Sequence, residues 1–357
     1  MKRRLLLTGA GALGAMAVTR SSLASTAHDY FVPAEEEPHE RTFMQWPVSR
    51  KVYYSKAYLR WAQEAIANIA NTISEFEPVT MLASREFHED ALRKLSSKVE
   101  LWDIPTEDLW CRDSGPIFGV NQKGDRAVIG VQFNGWGEKQ ENRHDSRIAV
   151  QVAKRLDLPL RPSGLIGEGG GVEQDGHGLL LAHASSWVND NRNPGLTKRQ
   201  VEDRLLAAYG ADRMVWSDGL WGEDITDYHI DSLARFTGPG RVLMNLPEQP
   251  DPHDSFHNAA LRTRERLQDA GLEIEVIPEP NRPRVRTSDF VASYVNYYAC
   301  NGAIVAPHFG DRRTDDIAVD AFGRHYPGRE IVTLNTDFLG ELGGGIHCAT
   351  QQMPAVR

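Results

Sequence analysis

Apolar and polar positions alternate along this chain with two periods. Over residues 58–76, Trp61, Ile66, Ile69, Ile73 and Phe76 recur near helical spacing and predict an amphipathic helix. Residues 79–83 form a short, unbroken apolar run, as expected of a strand covered on both faces. The cycle then repeats. Helical spacing is predicted over 87–95, 148–156, 198–209, 256–270 and 315–325. Strands are predicted over 99–104, 127–133, 178–182, 241–246, 273–277, 303–306 and 330–334. Single helices alternating with strands, in a rhythm of roughly 60 residues, predict one compact α/β domain made of similar units. The repeat lies in the order of elements and not in residue identities.

That alternation also occurs in nucleotide-binding folds, but the glycine pattern argues against one. Gly167-Glu168-Gly169-Gly170-Gly171 does not match GxGxxG, and acidic Glu173 and Asp175 follow it where a helix should begin. The balance of 49 acidic against 40 basic side chains gives a formal charge of -9, and no basic run is interleaved with aromatics. Nucleic acid is therefore a poor partner, while a cationic substrate would be attracted.

The first residues have a different character. Lys2, Arg3 and Arg4 precede an apolar run over 5–18, and Ser25-Thr26-Ala27 offers a small-x-small cleavage site. The paired arginines and the Gly/Ala-rich run resemble a twin-arginine leader. Residues 1–27 are read as a cleaved secretory leader, placing the product in the periplasm or outside the cell. The run is shorter than the ~20 residues that span a bilayer, and no later stretch qualifies as an integral membrane segment. Residues 28–357 are then a single catalytic domain.

Three cysteines remain, Cys111, Cys300 and Cys348. In an exported protein an odd count leaves a thiol unpaired unless chains are cross-linked, so each is a candidate for chemistry.

Four polar clusters stand at the ends of apolar segments. They are residues 110–116, Glu168 with its glycines, residues 226–232, and residues 343–352. In the last, three glycines free the backbone just before Cys348, and polar Thr350 and Gln351 follow, a setting that presents a thiol. Taken alone, a cysteine is as often a small core residue. His229 and Asp231, two apart, would share one face of a strand, and such a histidine can serve as acid and base. Together these suggest a Cys–His nucleophile and base. Asp113, Glu168 and Asp231 exceed what a thiol protease needs, and they oppose thiolate formation. A planar cation resolves the conflict, because carboxylates grip a guanidinium through paired hydrogen bonds and its charge favours the thiolate. Asp113 by itself fits a salt bridge to Arg112 or a turn cap equally well.

Several segments then resemble a known family. Trp110-x-Arg112-Asp113-Ser114-Gly115-Pro116, Glu168-Gly169-Gly170, His229-Ile230-Asp231, Ser293-Tyr294-Val295-Asn296 and Gly344-Gly345-Ile346-His347-Cys348-x-Thr350-Gln351-Gln352 are similar to agmatine deiminases and bacterial-type peptidylarginine deiminases. The stretches Pro33-Ala34-Glu35, Pro38-His39-Glu40-Arg41, Gln45-Trp46-Pro47 and Asn189-x-Asn191-Arg192-Asn193-Pro194 match as well. The resemblance implies a pseudo-five-fold α/β propeller, pentein-like, built from repeated ββαβ-type units with the site on its axis. It also implies no metal or organic cofactor. It makes Cys348 the nucleophile and His229 the proton shuttle, with Asp113 and Asp231 clamping the guanidinium and Glu168 orienting the histidine. Trp110 would pack along the substrate's aliphatic stem and Asn296 would line the site; Arg112 and Gly345 join the substrate-binding set.

The expected reaction is hydrolysis of agmatine to N-carbamoylputrescine and ammonia through a thiouronium adduct on Cys348. An alternative substrate is peptidyl or free arginine, giving citrulline. The polar loop 134–144 is shorter than the aromatic-containing form associated with agmatine deiminases, and Lys139 or Arg143 could face a carboxylate there. A solvated loop accounts for it equally. A Cys–His amidase or protease would cleave peptides without releasing ammonia from agmatine. A metal-binding protein using Glu168, His229, Asp231 and Cys348 lacks ligand spacing such as HxxxH or CxxC. Assembly into a homo-oligomer is compatible with this sequence.

Overall fold

The structure is a computed structural model and describes residues 29–287 and 289–356. The leader reading of residues 1–27 falls outside the described residues.

Strands β1 (His39–Gln45), β2 (Val79–Ala83) and β3 (Val99–Asp103) lie side by side and parallel. Four three-stranded sheets follow: β4 (Ile117–Val120), β5 (Arg126–Gln132) and β6 (Leu160–Ile166); β7 (Val172–Gln174), β8 (Leu179–His183) and β9 (Arg213–Ser217). Next come β10 (Ala234–Gly238), β11 (Arg241–Leu246) and β12 (Glu273–Pro278); then β13 (Tyr298–Cys300), β14 (Ala303–His308) and β15 (Glu330–Asn335). In each of these four the first two strands are an antiparallel hairpin, and a helix leads to a parallel third strand. The last strand, β16 (Gln351–Pro354), returns to pair antiparallel with β1, so both ends of the described chain share one sheet. Counting β16 with β1 and β2, five ββαβ units result. Their leading strands begin at Ile117, Val172, Ala234, Tyr298 and Gln351, spaced by roughly 60 residues.

Local signals explain the helices. Lys56–Ile73 starts where Ser55 accepts a hydrogen bond from the Tyr58 amide, and its buried stripe runs through Ala62, Ile66, Ile69, Ala70 and Ile73. Trp61, predicted on that stripe, is instead on the outer face against Phe338, while Phe76 lies past the helix end. Lys198–Tyr209 has a capping box between Thr197 and Gln200 and ends at Gly210, whose φ of 66° suits a residue without Cβ. The single helix expected over 87–95 is a 3-10 turn, Arg85–Phe87, followed by a short helix, His88–Leu92. Among the described residues, no helix is long and apolar enough to cross a membrane.

Candidate active site

The candidate residues come from five different units, and each stands just ahead of a leading strand. Asp113 belongs to the short helix Cys111–Ser114 before β4, and Glu168 precedes the 3-10 turn Gly169–Gly171 before β7. His229 and Asp231 precede β10, Asn296 precedes β13, and Cys348 precedes β16. His229 and Asp231 are not on a strand, as their spacing had suggested. His229 caps the 3-10 turn Ile230–Ser232, and that turn brings both side chains to the same side.

Asp113, His229, Asp231 and Cys348 line one cavity, together with Trp110 and Trp136. Gly170 shows how closely the first three converge. A Cβ added there would stand 2.8 Å from Asp113 Oδ1 and 2.9 Å from both Asp231 Oδ2 and His229 Nδ1. The Cys348 thiol points at Asp231 Oδ2, 3.5 Å away, and accepts a hydrogen bond from Asn296 Nδ2 at 3.1 Å. Cys348 is half-buried and faces the cavity, whereas Cys111 and Cys300 are fully buried. Gly344 must lack a side chain because Trp110 occupies that space, and Gly345 must lack one because Asn296 does.

The carboxylates are held differently. Both Asp113 oxygens accept hydrogen bonds, Oδ2 from Trp136 Nε1 (2.9 Å) and Oδ1 from the Gly170 amide (3.1 Å). Asp231 Oδ2 accepts from His347 Nδ1 at 2.8 Å. Asp231 Oδ1 is buried and has no hydrogen-bond partner among the described residues. A buried carboxylate oxygen in that state is costly unless a donor reaches it. Glu168 contacts His229 Nε2 at 3.2 Å, and buried Arg192 holds Glu168 through Nε at 3.0 and 2.8 Å.

The electrostatics follow from this packing. Burial pushes the Asp113 carboxyl up to about 6, against the pull of His229. Burial opposes charge on His229, but Asp113 and the Glu168 hydrogen bond outweigh it and hold the imidazole at about 9. Burial resists ionisation of Asp231 as well, yet the His347 hydrogen bond and charge keep it below the usual carboxylate range. Burial, then the charges of Asp231 and Asp113, push the Cys348 thiol well above its ordinary value. The site without a cation therefore keeps its thiol protonated. Burial also raises Cys300 to about 12 and Cys111 further.

Arg112 does not join the cavity. Its guanidinium pairs with Glu35 (2.8 Å) and Gln352 (2.9 Å), and it lines a separate cavity with Glu35, Glu173 and His347. Its substrate-binding assignment is thus corrected, and the salt-bridge reading of Asp113 fails because Arg112 is spent elsewhere. Lys139 is likewise engaged, with Nζ 2.8 Å from Asp227 Oδ2 and 3.0 Å from the Ile225 carbonyl, so it has no free charge for a substrate carboxylate. Three residues in contact with the site were given no role from the sequence: Trp136, His347 and Arg192. Arg192 and His347 stand inside the matching motifs. Trp136 is flanked by glycines, and it takes a left-handed φ of 56° to reach Asp113.

A presentable thiol, an imidazolium, two converging carboxylates and two indoles define a cysteine-enzyme site suited to a flat cation, carried on a five-sheet α/β scaffold. The model of the Porphyromonas-type peptidyl-arginine deiminases matches residues 31–354. This chain belongs to that family. It is 33% identical over 368 residues to an agmatine deiminase of Medicago truncatula, covering 93% of this chain and 98% of that protein. The solved agmatine deiminase of Enterococcus faecalis superposes with a TM-score of 0.82 at 25% identity, covering 91% and 96% of the two chains. An agmatine deiminase structure from C. jejuni shares the fold, with a TM-score of 0.80 at 24% identity and coverage of 92% and 96%.

Proposed function

We propose that this protein is a hydrolase of linear amidines that converts agmatine and water to N-carbamoylputrescine and ammonia. The observation that carries the reading is the Asp231 carboxylate, which meets the thiol through Oδ2, keeps a buried Oδ1 with no hydrogen-bond partner among the described residues, and lines a cavity with a second carboxylate. A guanidinium N–H supplies the missing donor, and its charge offsets the repulsion that keeps Cys348 protonated.

Asp113 and Asp231 hold the planar cation, and the Trp110 and Trp136 rings bound the space for its stem. Binding of the cation drives the Cys348 thiol proton out to solvent, and the resulting thiolate attacks the guanidinium carbon to form a C–S bond. His229, as imidazolium, gives its proton to the departing nitrogen, and ammonia leaves as the C–N bond breaks. Water then replaces it: His229 takes one of the water's protons as the oxygen attacks the thiouronium carbon, and the C–S bond breaks while the adduct's hydroxyl gives its proton to solvent, which releases the neutral ureido product and restores the thiolate. Glu168, fixed by Arg192, keeps the imidazole aimed. Carboxylates that stay ionised and positioned throughout supply electrostatic preorganisation. In this scheme the five sheets surround a common axis as a pseudo-five-fold propeller, the catalytic domain spans residues 28–357, and the first 27 residues direct export. No metal or organic cofactor enters the scheme.

The pH profile has two signed limbs. Binding needs ionised Asp113, so kcat/KM rises as pH climbs through about 6. Proton donation needs His229 imidazolium, present below about 9 and lost above it, so kcat/KM falls as pH passes about 9. A flat profile from pH 5 to 10 contradicts both assignments. The function itself is tested with a panel of agmatine, free arginine and arginyl peptides, scored by ureido product and ammonia. Agmatine should be turned over with the highest kcat/KM, because Lys139 is not available to meet a carboxylate. Preference for arginyl peptides moves the assignment to the peptidylarginine reaction, and ammonia-free peptide cleavage rejects a deiminase altogether.

A further inference from the structure

The mechanism leaves a group of buried charges unused behind the nucleophile. His347, 2% exposed, precedes Cys348 in sequence and lines the separate cavity with Glu35 and Glu173 rather than the one that Cys348 lines. Its Nδ1 lies 2.8 Å from Asp231 Oδ2, the same oxygen toward which the thiol points. Its Nε2 lies 3.0 Å from Glu35 Oε2 and 3.9 Å from Glu173 Oε1. Glu35 is anchored in turn by Arg112 at 2.8 Å, Arg235 at 3.0 Å and the Ala299 amide at 3.0 Å. Arg235 also pairs with Glu173 at 2.6 Å. A chain of contacts thus runs from the anchored carboxylate through one imidazole to the carboxylate at the nucleophile.

We propose that His347, anchored by Glu35, is a positioning residue that turns Asp231 so that Oδ2 is spent on the imidazole and Oδ1 is presented to the substrate cation. The proposal rests on the deiminase reading for what the cation is, and on geometry for the positioning. The physical need is clear. Asp231 sits in a dry pocket with Asp113 and Cys348 close by, conditions that favour its uptake of a proton and the loss of its grip. The groups facing it are His347 and Arg235 from behind, and Asp113, His229 and Cys348 around the cavity. Of the two basic side chains behind it, only His347 forms a hydrogen bond with it, so His347 alone can also fix which oxygen is free. Glu35 meets the imidazole on its far side, which keeps Nδ1 on the Asp231 side.

The test uses Cys348→Ala protein, where cation binding is read without turnover from the fluorescence of the cavity tryptophans. Agmatine and guanidinium chloride are the two probes. His347→Gln on this background should raise Kd about tenfold at pH 8, and the ratio to the His347 protein should widen as pH falls to 6, because an unsupported Asp231 takes up a proton. Glu35→Gln should shift Kd the same way by less. A purely structural His347 would lower the melting temperature and leave the Kd ratio independent of pH; that result overturns the proposal. Should His347→Gln fail to fold, Glu35→Gln decides, and an unchanged Kd for it is equally fatal. Failure of the wild-type enzyme to release ammonia from agmatine, with the guanidinium shifts intact, would sink the functional reading and leave the positioning role standing.

Discussion

Cys348→Ser should lose agmatine turnover by a factor on the order of 10⁴ or more while keeping the wild-type fold, because a serine hydroxyl in this site has no route to ionisation. The surroundings make the expectation strict. Burial and two carboxylates already push the thiol above its ordinary value, and a hydroxyl starts far higher still. The control lies in the other cysteines. Cys111→Ser and Cys300→Ser each place a hydroxyl in a packed core and should cost about 1–2 kcal/mol of stability, yet leave kcat near wild type because neither thiol lines the cavity. Residual activity above a few per cent in Cys348→Ser, or its complete loss in a well-folded Cys111→Ser or Cys300→Ser variant, assigns the chemistry to the wrong sulfur. Circular dichroism and steady-state ammonia release together decide the matter.

Asp231→Asn should act in two opposite directions. An amide removes the charge that grips the cation, so KM should rise and kcat fall, with kcat/KM down on the order of 10³-fold. The same substitution removes the charge that, after burial, does most to hold the thiol protonated, so the empty enzyme should become more reactive toward iodoacetamide at pH 7. Mass spectrometry of the alkylated peptide gives the rate at Cys348 directly. Lower turnover with unchanged alkylation, or an unchanged KM, contradicts the arrangement of carboxylate and sulfur described above.

The sequence revealed some elements and hid others for physical reasons. Strands β2 and β11 and the helix Lys198–Tyr209 coincide with their predicted bounds, since the strands are nearly wholly buried apolar runs and the helix has a capping box. The leading strands escaped. β7 and β13 have three residues each, β16 reads Gln-Gln-Met-Pro, and each follows a polar turn that interrupts any periodic signal. Those turns are the site itself, so the chemistry was visible as motifs where the scaffold was not. Cys348, His229, Asp113, Asp231 and Glu168 could be picked out because their residue types are chemically distinctive. His347, Arg192 and Trp136 could not be given roles, because each acts through a partner far away in the chain: Asp231, Glu168 and Asp113.

The shared sheet has a consequence for how the active enzyme comes into being. Thr42 lies opposite Gln352 and Phe43 opposite Gln351, so the earliest strand of the domain waits for the last-made one. Cys348 stands three positions before that final strand, so a nascent chain emerging from the ribosome can hold all four three-stranded sheets yet lack its nucleophile. The sheet next to Cys348 is completed only when β16 pairs with β1. The same adjacency suits circular permutation of the described domain: linking the segment just before β1 to the segment just after β16, and opening a surface turn elsewhere, preserves every strand pairing among the described residues.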